Sequence, residues 1–263
     1  RVTGVVINNE KEIKSTTVVL AIGHSARDTF KMLYEKGLTM KPKNFAVGVR
    51  VEHLKEMIDK SQYGTYSKYL PPATYKLTYQ TNDNRGVYSF CMCPGGFVVN
   101  ASSEEKRLVI NGMSNYNRDE INSNSAIVVN VTQKDFGEGV LAGVEFQRRL
   151  EEKAYQLGKG FIPCKLYGDF LKGEVSHSFL SVIPNTKGNV SFADLNQLFS
   201  KEILDSLREA IPYFGTKIKG FDQEDSVLLG VESRTSSPVI IVSNEDGESN
   251  ILGVYPCGEG AGY

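Results

Sequence analysis

The sequence predicts an α/β protein that carries an inserted α+β domain. Near the start, the apolar run Val18–Ile22 leads through a small-residue turn into an amphipathic segment, which is the strand-turn-helix order of α/β folds. In the middle, short strand-like segments follow one another without the helices that connect parallel strands, which is typical of an antiparallel sheet. We therefore predict an α/β frame at residues 1–43 and 227–263, with a mostly antiparallel domain inserted at residues 44–226.

The first part of the frame is predicted to be a hairpin followed by a helix. Residues 1–7 alternate as a strand does, Asn8-Asn9-Glu10 supplies a turn, and residues 12–22 return as the second arm. The unbroken apolar run that ends this arm predicts a strand buried on both faces. Ser25 is the expected N-cap of the helix, and Gly37 is its expected end.

The insert is predicted to consist mainly of short strands, with a helix at residues 53–60. The strand-like segments are rich in β-branched and aromatic residues and are bounded by turns. They are residues 45–51, 75–80, 87–93, 97–101, 108–111 and 126–131. Residues 139–157 repeat apolar side chains at helical spacing, and a second long helix begins after Ser200. We expect Pro212 to interrupt that helix.

Composition limits the classes of partner. The chain has 263 residues, of which 40% are hydrophobic and 23% charged, and its net charge is −1. This balance provides no basic surface for nucleic acid or an anionic membrane, and no apolar run is long enough to span a bilayer. The 4 cysteines are scattered and favour a reducing, cytoplasmic setting. No pattern indicates an oligomeric state.

The end of the chain contains the most informative motif. A short apolar strand, Ile251–Tyr255, breaks at Pro256 and opens into Gly258-Glu259-Gly260-Ala261-Gly262, a backbone with few Cβ atoms and a single acidic side chain. Such a loop lets main-chain N–H groups approach a phosphate. An ordinary glycine-rich turn remains the alternative, because short glycine motifs are weak indicators when they stand alone.

A second motif, Thr17–Ser25, precedes this loop in the chain, and the pair resembles the flavin-binding signatures of flavoproteins with two dinucleotide-binding domains. Thr17–Ser25 is similar to the middle signature, in which a buried strand ends beside the dinucleotide, and the closing loop is similar to the C-terminal signature. Together with Phe90–Gly96 and Glu232–Val239, these motifs make the whole chain resemble an uncharacterised bacterial family of FAD-dependent dehydrogenases, which are NAD(P)/FAD-dependent oxidoreductases.

The resemblance implies a partial Rossmann-like FAD-binding domain flanking a substrate domain, with FAD as the cofactor of the full-length protein. Glu259 would accept hydrogen bonds from ribityl or ribose hydroxyls. The resemblance further implies that the backbone approaches the cofactor at Gly23, His24, Ser25, Gly258, Gly260, Ala261 and Gly262. A small-molecule substrate and NAD(P)H are the partners it suggests, without indicating the substrate or choosing between NADH and NADPH.

The chain lacks the N-terminal G-x-G-x-x-G turn of the resembling family, which holds the ADP pyrophosphate there. Residues 137–142 imitate that pattern, but Lys134-Asp135-Phe136 precedes them instead of an apolar strand. The chain also starts at Arg1 within a strand-like pattern and stops in the glycine loop. We therefore expect an internal fragment of a longer protein, inactive alone and binding FAD weakly or not at all.

Other residues are candidates to line a flavin or substrate pocket. Cys91 and Cys93 lie two apart on a predicted strand and should face one side. Packing in the core or pocket is the main interpretation, and electron exchange with a flavin or metal binding is the alternative. No metal site is predicted, because C-x-C lacks the usual C-x-x-C spacing. Pro94-Gly95-Gly96 is either a turn that approaches the flavin ring or a plain hairpin.

Arg234 and Thr235 are further pocket candidates, since they precede the last strands of the frame. Arginine suits a carboxylate or phosphate, whereas an ordinary surface arginine is the alternative. No Ser/His/Asp or metal-ligand combination forms a catalytic motif, so no catalytic residue is assigned.

The competing hypothesis is a non-enzymatic module that binds a peptide or small molecule and whose glycine loop is purely structural. The flavoprotein hypothesis has one geometric requirement. Gly23 and Glu259 must lie at the tips of neighbouring strands and border one groove.

Overall fold

The computed structural model describes all residues, 1–263. Its strands are β1 (Gly4–Ile7), β2 (Lys11–Lys14), β3 (Val18–Leu20), β4 (Met40–Pro42), β5 (Phe45–Leu54), β6 (Thr78–Gln80), β7 (Gly86–Cys93), β8 (Gly96–Asn100), β9 (Ile110–Ser114), β10 (Asn122–Val131), β11 (Ile162–Leu166), β12 (Thr186–Lys187), β13 (Val190–Phe192), β14 (Val227–Glu232), β15 (Val239–Ile241) and β16 (Val254–Pro256). Its helices are α1 (Arg27–Glu35), α2 (Lys55–Tyr63), α3 (Gln133–Phe136), α4 (Ala142–Leu157), α5 (Tyr167–Lys172) and α6 (Lys201–Lys217). None of these helices combines the length and apolar character needed to cross a bilayer.

Packing divides the chain into two compact units. The first unit comprises residues 1–45, 131–147 and 234–263, and the second comprises residues 46–130 and 148–233. This division differs from the boundaries predicted from the sequence, because residues 131–147 pack with the first unit and strand β14 belongs to the second. β14 lies in the second unit because it pairs antiparallel with both β11 and β5.

The first unit contains three two-stranded sheets. β1 and β2 form an antiparallel hairpin, β4 pairs antiparallel with β15, and β3 pairs in parallel with β16. Its core is a cluster of buried apolar side chains from α1, α4, β4, β15 and the α1–β4 loop, which are Phe30, Leu38, Met40, Val144, Val239 and Ile241. Each such side chain contributes roughly 1.5–3 kcal/mol when fully buried, so this cluster anchors the elements around β3 and β16.

The hairpin prediction is wrong in its second arm. The residues expected to form one long strand form two, because β2 ends at Lys14 while β3 begins at Val18 and pairs with β16. The expectation of burial on both faces also fails, since Val19 is 65% exposed. Leu20, the next residue, packs against the core cluster, so only one face of β3 is covered.

The start of α1 also differs from the prediction, whereas its end is confirmed. The helix begins at Arg27, after Ala26, and no side chain caps it. Ser25 contributes its carbonyl oxygen instead, which accepts the N–H of Arg27 at 2.9 Å. Gly37 follows the helix with a φ of 84°, a conformation that glycine adopts without strain.

The second unit is built on a seven-stranded sheet with the order β13-β11-β14-β5-β10-β7-β6. β14 pairs antiparallel with β11 and β5, β7 pairs antiparallel with β10 and β6, and β11 and β13 pair in parallel. A smaller sheet has the order β12-β8-β9. The prediction of a mostly antiparallel sheet is therefore confirmed, and the chain as a whole is a mixed α/β protein. A Rossmann-like arrangement stays a prediction.

Two helix predictions in the second unit need correction. His53 lies in the long strand β5, which ends at Leu54, instead of starting a helix, and α2 begins at Lys55. Helix α6 continues through Pro212 to Lys217. Proline removes one helical hydrogen bond, but the buried side chains of Ile211 and Phe214 on either side of it hold the helix against the core.

Candidate functional site

In the first unit, the two small-residue loops that were expected to border one groove lie side by side. β3 and β16 pair in parallel, with Val18 opposite Val254 and Leu20 opposite Pro256. Parallel neighbours end at the same edge of a sheet, so the turn after β3 meets the loop after β16. A Cβ atom at Gly260 would lie 2.6 Å from the carbonyl oxygen of Gly23. The expected adjacency of the two strand tips is thus confirmed, whereas a groove bordered by both stays a prediction. Position 260 has no room for a side chain.

His24 and Glu259 form the ionisable part of this loop pair. The Nε2 atom of His24 lies 3.6 Å from a carboxylate oxygen of Glu259, whose side chain is 50% exposed. Burial lowers the pKa of His24, and the charge of Glu259 together with a hydrogen bond to the backbone of Ser236 only partly opposes this effect. The His24 ring is therefore neutral at neutral pH, and the carboxylate beside it is accessible to a ligand.

The closing loop carries backbone donors without partners. The N–H groups of Gly258, Glu259 and Gly260 make no hydrogen bond in the structure. Those of Ala261 and Gly262 donate to the carbonyls of Gly258 and Glu259, each at 3.0 Å, and close a short 3₁₀ turn. Of the amides expected to approach a cofactor here, the first three retain a free donor and the last two do not.

Arg234 lies against the same loops. Its Nη1 atom donates to the hydroxyl oxygen of Ser25 at 3.1 Å, and its charge is among the causes that lower the pKa of His24. Thr235, the next residue, is buried. The loop pair thus offers an arginine, unpartnered amides and an accessible carboxylate. These groups fit a ligand that carries both phosphates and hydroxyls, as FAD does.

The other predicted pocket residues lie in the second unit, beside a cleft of about 950 Å³. Its walls are residues 71–72, 91–94 and 111–118, so Cys91, Cys93 and Pro94 line it. Gly95 and Gly96 do not. A Cβ atom at Gly95 would collide with the backbone carbonyl of Arg118, and one at Gly96 would collide with that of Met113. Close packing of the β7–β8 hairpin accounts for both glycines.

The cysteine pair lies on an irregular part of β7. The register between β7 and β10 shifts next to Cys93, and Cys91 has a φ of 43°. The strand is therefore not regular here, as the expectation of two thiols on one side assumed, yet both residues line the same cleft. Cys91 is exposed, whereas Cys93 is partly buried and donates its S–H to the Cys91 carbonyl at 3.3 Å. Burial raises the pKa of Cys93, although Arg50 opposes the shift, so Cys93 is a neutral thiol.

A fully buried guanidinium beneath the cleft was missed by sequence reasoning. Arg50, in β5, donates from Nε and Nη2 to one Glu232 oxygen, at 3.1 and 2.9 Å. Its Nη1 donates to the Cys91 carbonyl at 3.1 Å and to Asn124 at 2.8 Å, and its Nη2 donates to Asn111 at 3.2 Å. Because Cys91 and Asn111 line the cleft, Arg50 fixes its floor. The available signal was a single arginine within the otherwise uncharged strand predicted at residues 45–51.

Glu52 is a second missed residue of β5, and it is also fully buried. Its carboxyl oxygens accept the backbone N–H of Asn185, each at 3.2 Å, and one of them accepts the side-chain amide of Asn122 at 3.4 Å. Burial nevertheless raises the pKa of Glu52 to about 8. Glu52 therefore stays protonated at neutral pH while it holds the segment around Asn185.

Comparison with known proteins identifies the class. Residues 44–235 match the family described as "FAD-dependent protein, C-terminal domain-like", and the chain belongs to this family. The match includes Arg50, Glu52, the cleft and Arg234. The chain is also 48% identical, over 265 residues, to an uncharacterised protein of Clostridium beijerinckii, an alignment that covers 98% of this chain and 50% of the relative. The chain thus spans about half the length of this curated relative.

Proposed function

We propose that this chain is part of an FAD-dependent oxidoreductase and that its first unit contributes part of the FAD site. The observation that carries the proposal is the parallel pairing of β3 and β16, which brings Gly23 against Gly260 and leaves the three amides of Gly258–Gly260 unpartnered. Membership of a family of FAD-dependent proteins supports FAD as the ligand. When bound, the flavin supplies the hydride or electron transfer.

Each group of the loop pair has a role in this assignment. The amides of Gly258–Gly260 donate to phosphate oxygens, and the carboxylate of Glu259 accepts hydrogen bonds from hydroxyls. Neutral His24 lies beside Glu259 and adds no positive charge. The contact of Arg234 with Ser25 places a cation near the loops, which favours an anionic ligand.

The reaction proposed for the complete enzyme is the oxidation or reduction of a small molecule. A dehydrogenase acting on a small molecule, with NAD(P)H as electron partner, fits a protein whose second unit has a cleft of small-molecule size. The flavin carries the redox step in such enzymes, so the protein needs to bind and orient its substrate and to exclude water.

Glu259→Ala is expected to weaken FAD binding about tenfold or more in the product of the complete reading frame, because it removes a charged hydrogen-bond acceptor. Gly260→Val should abolish binding, since a side chain there displaces the turn at Gly23. Both effects are measured from the visible absorbance of protein-bound flavin after titration with FAD.

The matched control is Glu245→Ala, an exposed acid in the turn before β16, which should bind FAD as the unaltered protein does. Unchanged affinity in both loop variants, or no flavin binding by the complete protein, contradicts the proposal. The expectation that residues 1–263 alone bind FAD weakly stays a prediction, and titrating the isolated chain tests it.

A further inference from the structure

We infer that the cleft of the second unit binds a small organic carboxylate with an apolar body. Identifying this ligand as the substrate of the oxidoreductase rests on the proposed function, whereas the binding itself does not. The inference depends on the size of the cleft, the side chains exposed in it, the sign of its charge and the fixed position of its floor.

The size and lining of the cleft suit a small molecule with an apolar part. Its volume of about 950 Å³ is at the upper end of the range for small-molecule sites. Met113 is 54% exposed and Tyr116 is 101% exposed, and both line the cleft together with Pro71 and Met92. Large apolar side chains exposed on a concave surface indicate a ligand, and methionine adapts to ligands of different shape.

The charge of the cleft favours an anion. No aspartate or glutamate lines it, whereas Arg118 does, and Arg118 is exposed and makes no ion pair. The nearby acid Glu120 accepts hydrogen bonds from Asn115 and Asn185. The charge of Arg50 below the floor is balanced by Glu232. The cationic group available to a ligand in this cleft is therefore the Arg118 guanidinium, which suits a carboxylate.

The floor of the cleft is held in place before any ligand arrives. Arg50 joins the Cys91 carbonyl to the side chain of Asn111, and these two residues belong to different walls. A Cβ atom at Gly112 would collide with the Arg50 guanidinium, so the backbone there rests directly on it. A preformed floor reduces the ordering cost that a ligand would otherwise meet.

Thiol footprinting locates binding in this cleft. Cys91 is exposed and lines the cleft, whereas Cys257 is exposed in the first unit and serves as an internal reference. Alkylation of both by neutral iodoacetamide is followed by peptide mass spectrometry. Phenylpropanoate is expected to slow alkylation of Cys91 but not of Cys257, with weaker protection by phenylpropanamide and none by phenylpropylamine. Equal protection by all three probes, or none by any of them, overturns the inference.

Arg118→Met tests the charge. Affinity for phenylpropanoate is expected to fall about tenfold, because a charge-assisted contact is lost. The affinity is taken from the concentration dependence of Cys91 protection. Affinity for phenylpropanamide should stay within about twofold. The control Lys153→Met removes an exposed cation outside the cleft and should change neither value. An equal loss for both probes in Arg118→Met contradicts the inference.

These measurements need no flavin, so their failure is distinguishable from failure of the proposed FAD site. If the protein binds FAD but phenylpropanoate does not protect Cys91, the proposed function stands and the carboxylate site is wrong. If phenylpropanoate protects Cys91 but the protein binds no FAD, the carboxylate site stands and the proposed FAD site is wrong.

Discussion

Arg50→Met is expected to destabilise the second unit by about 3–5 kcal/mol, the usual cost of removing one partner of a buried ion pair. Arg50 is 0% exposed, and its loss leaves the carboxyl of Glu232 buried without a counter-charge. The Cys91 carbonyl and the side chain of Asn111 lose a donor at the same time. The free energy of unfolding, measured with urea at neutral pH, checks this prediction.

A double variant separates the uncompensated charge from the lost packing. Arg50→Met combined with Glu232→Gln should recover part of the loss, because the remaining buried group is then neutral. Arg208→Met, which removes a partly exposed arginine paired with Asp205, is the control and should change stability by no more than about 1 kcal/mol. A loss below about 1 kcal/mol in Arg50→Met would show that the pair is dispensable.

Glu52→Gln is expected to flatten the pH dependence of stability between about pH 4.5 and about pH 8. Burial raises the pKa of Glu52 to about 8 in the folded protein, from the value of 4.5 that is usual for an exposed glutamate. Below the lower value both states are protonated and the contribution of Glu52 to stability is fully present. As the pH rises the unfolded chain ionises first, so roughly 5 kcal/mol of stability is lost by the time the pH has passed the folded pKa. Glutamine cannot ionise, and the loss disappears.

Urea unfolding from about pH 5 to about pH 9 measures this difference as a slope. Glu174→Gln replaces an exposed glutamate of the same unit and should keep the slope of the unaltered protein. If Glu52→Gln also keeps that slope, Glu52 is ionised in the folded protein and the assignment of a protonated side chain is wrong.

The parts of the fold set by local patterns could be predicted from the sequence. Strand-like alternation located most strands of the second unit, and Gly37 marked the end of α1. The division of residues 12–22 into β2 and β3 could not be predicted, because β3 separates from the hairpin to pair with a strand more than two hundred residues later.

The candidate site shows the same limit. Gly23 and Glu259 could be placed together because two motifs occurred in a recognisable order. Arg50 could not be recognised, because its partner Glu232 is 182 positions away along the chain. An arginine in an apolar strand indicates a buried pair or network, but only the fold identifies its partners.

The contact between Gly260 and Gly23 has a consequence for how this protein can vary. A Cβ atom at position 260 would meet the nitrogen, carbon and oxygen of Gly23, so a substitution cannot be accommodated by turning a side chain aside. A change at position 260 would have to be accompanied by a shift of the whole turn after β3. We therefore expect substitutions at position 260 and in the turn at position 23, although far apart in the sequence, to occur together among related proteins.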